Sequence, residues 1–194
     1  MEVTQLCPKQ PKRPEHILLH WRDAGMLLNV TKALFRCSGH RSGVYLVIDT
    51  RPVADLLHSC TLGDLLERSG AVLYLGSATT LQPRIQSLLR AVSGVPFAHG
   101  FGVTFAGLAP PVPQDELAIL LISHDPGYCL EDRLLSDYRN IHGHWPVGNS
   151  RPARTTSRHG DRQWVRVTRN IALDPVVTFD PASTRWTIER KTKP

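Results

Sequence analysis

Five polar residues of this 194-residue chain fall where chemistry could be done. Tyr45 ends the string Gly43-Val44-Tyr45, Tyr74 opens Tyr74-Leu75-Gly76, and Arg84, Glu131 and Asn149 follow in order. Phenols, a guanidinium, a carboxylate and a carboxamide brought to one place can serve phosphodiester hydrolysis, which needs a positioned water and relief of charge on the non-bridging and leaving oxygens. Neither tripeptide says much alone, because any buried strand can end in Tyr or Gly. The order of the residues and the elements that carry them supply the information.

Those elements can be read from periodicity. Gly43 to Ile48 and Ala71 to Gly76 read as strands, and Glu116 to Ser123 as a third, with Leu117 to Ile122 buried on both faces. Between the first two, Asp49 to Gly70 is an insert in which Thr61-Leu62-Gly63-Asp64 resembles a capping box opening a short helix that Gly70 ends. After Gly76, Ser77 or Thr79 caps a helix with Pro83 in its first turn, Gly94 at its end, and Leu81, Ile85, Leu88, Leu89 and Val92 on one face. Arg84 lies at the edge of that stripe, free to reach a cleft or merely to cap the apolar face.

The Gly- and Pro-rich stretch Val95 to Pro113, containing His99-Gly100, reads as a connection. Leu130 to about Ile141 reads as a helix buried through Leu130, Leu134, Leu135, Tyr138 and Ile141, with Glu131 in its first turn, where an acid commonly pairs with the helix dipole. Upstream, Glu15 to about Phe35 carries a mostly helical period through Ile17, Leu18, Trp21, Met26, Leu27, Val30 and Leu34, broken at Gly25. Before it, Pro8 to Pro14 form a basic leader. The sum is an α+β chain, sandwich-like, with a small, mainly antiparallel central sheet of about three strands flanked by helices, an N-terminal helical extension and a C-terminal basic β extension.

Composition bounds the reading. A chain of this length with 41% hydrophobic residues buries one substantial core. Its apolar runs fall short of a membrane span and its start lacks the form of a signal peptide, so a soluble cytoplasmic protein with no membrane partner is expected. Cys7, Cys37, Cys60 and Cys129 lie too far apart for a zinc clip or a disulfide framework, and read as thiols in a reducing compartment. The net charge of +6 is uneven: residues 1–150 hold 13 basic and 13 acidic residues, residues 151–194 hold 10 and 4. Arg151, Arg154, Arg158, Arg162, Arg166 and Arg169 recur through that tail, opposed by Asp161. Such a run suits a phosphate backbone, the plain alternative being a solvated basic face. Trp164, Val165 and Val167, then Phe179, Trp186 and Ile188, alternate with polar residues as strands do, which favours a docked β extension facing nucleic acid.

The succession Gly43-Val44-Tyr45, Tyr74-Leu75-Gly76-Ser77-Ala78, Arg84, Glu131 at the start of a later helix, and Pro146 to Asn149 resembles the GIY-YIG nuclease superfamily, over about residues 43–149. The resemblance implies a nuclease core over 43–149 with the insert at 49–70, an N-terminal extension over 1–42 and an Arg-rich extension over 150–194. It implies a metal-dependent DNA endonuclease of the restriction, defence or DNA-repair kind, acting on duplex or branched DNA. It also implies that Glu131 holds a single Mg²⁺ or Mn²⁺, Arg84 grips the phosphate, Tyr45 orients or deprotonates the water, Tyr74 positions water or phosphate beside it, and Asn149 braces the site. A phenol with its ordinary pKa of about 10 needs a nearby cation to act as base at neutral pH.

Many relatives carry a His one helical turn beyond the Arg, where this chain has Leu88. Some prokaryotic relatives instead have a His-Gly element before the third strand. His99-Gly100 resembles it, so His99 either assists Tyr45 or phosphate, or steadies a glycine-rich loop. His142 and His144 read as structural, since their spacing does not resemble a zinc site. A homodimer is one way for a single small site to cut both strands. The alternatives to an endonuclease are a non-catalytic nucleic-acid-binding module of the same fold, or another small α/β domain with a basic tail.

Overall fold

The computed structural model describes residues 16–21, 41–54, 61–125, 127–149, 176–180 and 185–189. The basic leader, residues 22–40, the insert's residues 55–60, three of the four cysteines, Trp164 to Val167 and the six tail arginines lie outside them.

Among the described residues six strands form one sheet: β1 (His16–His20), β2 (Gly43–Asp49), β3 (Val72–Ala78), β4 (Leu117–Ser123), β5 (Val176–Asp180) and β6 (Arg185–Glu189). Their order is β3-β2-β4-β1-β5-β6, so β3 is an edge. The β3-β2-β4-β1 part is antiparallel throughout, while β5 joins β1 in parallel and is antiparallel to β6. Among the described residues four α-helices accompany the sheet: α1 (Leu62–Glu67), α2 (Leu81–Val92), α3 (Gly100–Ala106) and α4 (Gly127–His142). The class is α+β, with the sheet wider than the three strands expected.

The three apolar runs become β2, β3 and β4 as their composition requires, with every residue of the inner strands β2 and β4 buried. Leu18, Val44, Leu46, Ile48, Leu75 and Leu120 pack on one side with α1 and α4. Leu19, Tyr45, Val47, Ile119 and Leu121 pack on the other with α2 and α3. No helix among the described residues is long and apolar enough to cross a membrane.

Five expectations are corrected. His16–His20, placed in a helix by periodicity, is a strand against β4, with Leu18 in one core and Leu19 in the other. A short apolar run such as Ile17-Leu18-Leu19 satisfies either period, and burial on both faces decides for the strand. β3 runs through Ser77 to Ala78, so neither Ser77 nor Thr79 caps α2; Thr80 holds that position without a side-chain bond. The stretch Val95 to Pro113 contains α3, a helix packed through Phe101. Helix α4 begins at Gly127, which moves Glu131 out of the first turn, and Ile141 is 40% exposed rather than part of the buried stripe. The expected capping box is present: Asp64 N–H donates to Thr61 Oγ1 at 3.2 Å and Thr61 N–H donates to Asp64 Oδ2 at 2.7 Å. Gly70, which follows that helix, takes φ +77°, a conformation glycine adopts without strain.

Candidate active site

Antiparallel pairing sets Tyr45 opposite Gly76 and Val47 opposite Tyr74, which puts both tyrosines on the α2/α3 side of the sheet. The pairing skips Leu73, a bulge that turns Leu73 and Tyr74 to the same side and aims Tyr74 at Tyr45. Their ring centroids are 5.8 Å apart. Gly76 gives the rings their room: a Cβ there would sit 2.7 Å from Tyr45 Oη and 2.8 Å from Tyr74 Cε1.

Two further groups converge on Tyr45 Oη. Arg84, in the first turn of α2, donates through Nε at 3.0 Å. His99 comes from the N-cap of α3, with Nε2 at 2.9 Å from the same oxygen and Nδ1 accepting the Phe101 N–H at 3.1 Å. Its ring stands edge-on to Tyr74, which also packs against Phe101. Tyr45 is fully buried and His99 is 4% exposed, whereas Tyr74 is half-buried and Arg84 is exposed.

Glu131 approaches from the opposite face. Ser42 Oγ accepts the Gly127 N–H at 3.0 Å, and Gly127 lies so close to Gly43 that a Cβ on it would be 2.5 Å from the Gly43 carbonyl. The start of α4 is thereby pinned to the start of β2, one turn before Glu131. The Ser77 hydroxyl then donates to Glu131 Oε2. Because β3 is the sheet edge, Glu131 on one side and Arg84 on the other act across its end, and the Arg84 charge is felt at the Glu131 carboxyl. Asn149 stays on that edge: Oδ1 accepts the Leu75 N–H at 3.0 Å and Nδ2 donates to the Leu75 carbonyl at 2.7 Å. With Gly148 N–H on the Leu73 carbonyl at 2.7 Å, it covers β3 as a further strand would.

Electrostatics separate the groups. Burial raises the Tyr45 pKa well above its ordinary value, with a further push from Tyr74 that the Arg84 cation only partly offsets. Tyr45 is therefore a neutral phenol at neutral pH, and the reading in which it deprotonates water is disfavoured in this state. Burial, then the Arg84 charge, lowers His99 to about 4, so its ring is neutral. Burial raises Glu131; the Ser77 hydrogen bonds work against that rise, Asp132 adds to it, and Arg84 opposes it.

No family model, curated protein or solved structure matches the chain.

Four of the sequence-derived site residues, Tyr45, Tyr74, Arg84 and His99, thus form one cluster. Glu131 faces it around β3, and Asn149 braces the strand between them. Ser77 was missed as a site residue; its signal is the strand continuing past Gly76, which turns Ser77 to the α4 side. Among the described residues no group of three or more His, Cys, Asp or Glu gathers as a cation site. His142 instead bonds the Leu66 carbonyl at 2.7 Å, and His144 the Trp145 carbonyl at 2.8 Å. A half-buried carboxylate such as Glu131 nevertheless suits a cation that keeps most of its waters and takes its other ligands from substrate, as Mg²⁺ does, since the cation would offset the cost of burying the charge.

Proposed function

We propose that the chain is a metal-dependent DNA endonuclease of GIY-YIG type, hydrolysing phosphodiester bonds in restriction, defence or DNA repair. The observation that carries this reading is the convergence of Arg84 Nε, His99 Nε2 and Tyr45 Oη beside Tyr74, with Glu131 in electrostatic reach around the strand edge. Arg84 spends Nε on Tyr45, which fixes the plane of its fork and presents its outer face to a phosphate. Tyr45, His99 and Arg84 form a preformed framework of hydrogen bonds with Tyr74 packed against it, and such preorganisation is the main lever on a developing phosphoryl charge. Glu131 would hold Mg²⁺ or Mn²⁺, which when bound supplies Lewis-acid polarisation of the phosphate and relief of charge on the leaving oxygen.

The test is nicking of supercoiled plasmid in Mg²⁺ or Mn²⁺ by the full chain, by Glu131→Ala and by Arg84→Ala. Cleavage is expected to fall by about 100-fold or more in each variant. Equal cleavage by all three proteins would sink the assignment. DNA binding with no cleavage under any metal would instead support the non-catalytic module.

A further inference from the structure

We infer that Tyr74, not Tyr45, presents the hydroxyl that meets the scissile phosphate, and that His99 and Tyr45 are positioning residues that aim it. The inference rests on the nuclease reading for the identity of the substrate, and on the hydrogen-bond directions for everything else.

Those directions follow from the cap of α3. The backbone N–H of Phe101 can only donate, so His99 Nδ1 carries a lone pair. The neutral ring must then hold its proton on Nε2, and that N–H donates to Tyr45 Oη. His99 therefore cannot take a proton from Tyr45. Arg84 Nε also has only a proton to give, so two donors occupy the acceptor side of the Tyr45 oxygen. That leaves the Tyr45 hydroxyl proton to be given away, and Tyr74, whose ring centroid lies 5.8 Å off and which is electrostatically coupled to both Tyr45 and Arg84, is the polar side chain placed to accept it. Tyr74 is left to point its own proton outward.

Exposure agrees with that order. Tyr45 has no accessible surface and cannot touch a phosphate, whereas Tyr74 is partly open. The chain of donors runs from the α3 backbone through His99 and Tyr45 to Tyr74, the partly open member, whose hydroxyl donates to a non-bridging oxygen. The role is one of charge stabilisation, with no proton transferred.

The first experiment needs no activity: ¹H–¹⁵N correlation of the imidazole nitrogens in the full chain, with His99 assigned by its absence in His99→Asn. A neutral Nε2–H ring at pH 7 is expected. A ring protonated on Nδ1, alone or as imidazolium, overturns the inference whether or not the protein is a nuclease. The second experiment is single-turnover plasmid cleavage. Tyr74→Phe should lower the rate by about 100-fold, the scale of one lost charge-stabilising donor. Tyr45→Phe and His99→Asn should each lower it about tenfold, as supports of a ligating group do. Asn at position 99 keeps an acceptor for the α3 cap but loses reach to Tyr45, and His99→Gln should restore part of the rate by regaining it. Because His99 acts through Tyr45, adding His99→Asn to Tyr45→Phe should cost nothing more. A rate loss larger in Tyr45→Phe than in Tyr74→Phe, or independent effects at 45 and 99, overturns the inference; a wild-type protein that cleaves nothing overturns the nuclease reading while leaving the tautomer result to stand.

Discussion

Replacing Glu131 with Gln sets function against stability at one atom pair. Burial holds the folded-state pKa of Glu131 above the ordinary 4.5, so as pH rises the unfolded chain releases this proton first. Folding is therefore penalised as pH climbs from that ordinary value through the raised one, and stays penalised above it. Glu131→Gln keeps an acceptor for Ser77 and removes the charge, so at pH 7 it should melt about 2–4 °C higher than wild type, the shift that ~1 kcal/mol gives a chain of this size. Below pH 4.5 the two melting curves should draw together, since wild type is then neutral as well. Saturating Mg²⁺ should raise the melting temperature of wild type and leave Glu131→Gln unmoved. Scanning calorimetry across pH, with and without metal, checks both statements; a variant less stable than wild type at pH 7 would mean that the Ser77 contact outweighs the burial cost.

At the scale of elements, the strand edge is where site and fold are one object. Asn149→Ala strips partners from the N–H and C=O of Leu75, between Tyr74 and Gly76, and should cost about 1–3 kcal/mol in denaturant unfolding together with a fall in cleavage. Thr61→Ala removes a cap remote from the site; a loss of about 1 kcal/mol with the cleavage rate unchanged is expected, and serves as the control for stability alone. Gly76→Ala should lower cleavage and cost about 1–3 kcal/mol, because its Cβ would overpack the ends of two tyrosines, one of them fully buried and held by two hydrogen bonds. These elements differ in how far the sequence announces them. The strands holding Tyr45 and Tyr74 and the capping box at Thr61 are local patterns, and local patterns can be read. Helix α3 is not one: Gly-Phe-Gly-Val-Thr-Phe-Ala has two glycines and a β-branched pair, and its cap is a histidine. It is helical because Phe101 is buried against Tyr74, a partner far away in the chain. Likewise nothing near His99 reveals which of its nitrogens carries the proton, since that depends on a helix that tertiary packing imposes.

For the whole molecule, charge and topology divide the labour. The described site lies in a stretch whose basic and acidic residues balance at 13 each, so long-range attraction for a polyanion must come from residues 151–194. Truncating that tail is a poor test, because β5 lies beside β1 and carries β6, and their loss would uncover the edge of β1. The discriminating variant keeps the chain whole and replaces Arg151, Arg154, Arg158, Arg162, Arg166 and Arg169 with Gln. Each arginine that sits on a phosphate contributes roughly 0.9 to the slope of log affinity against log salt, so the six together should flatten it by up to about 5. Arg84→Ala, one cation at the chemical centre, should change that slope by no more than about 1 while reducing cleavage far more steeply. Binding of a DNA duplex measured between 50 and 200 mM salt, the range over which counterion release is most visible, separates the two effects. A slope unchanged by the six substitutions would place the tail off the phosphates and leave the attraction to the balanced core, which has no net charge to provide it.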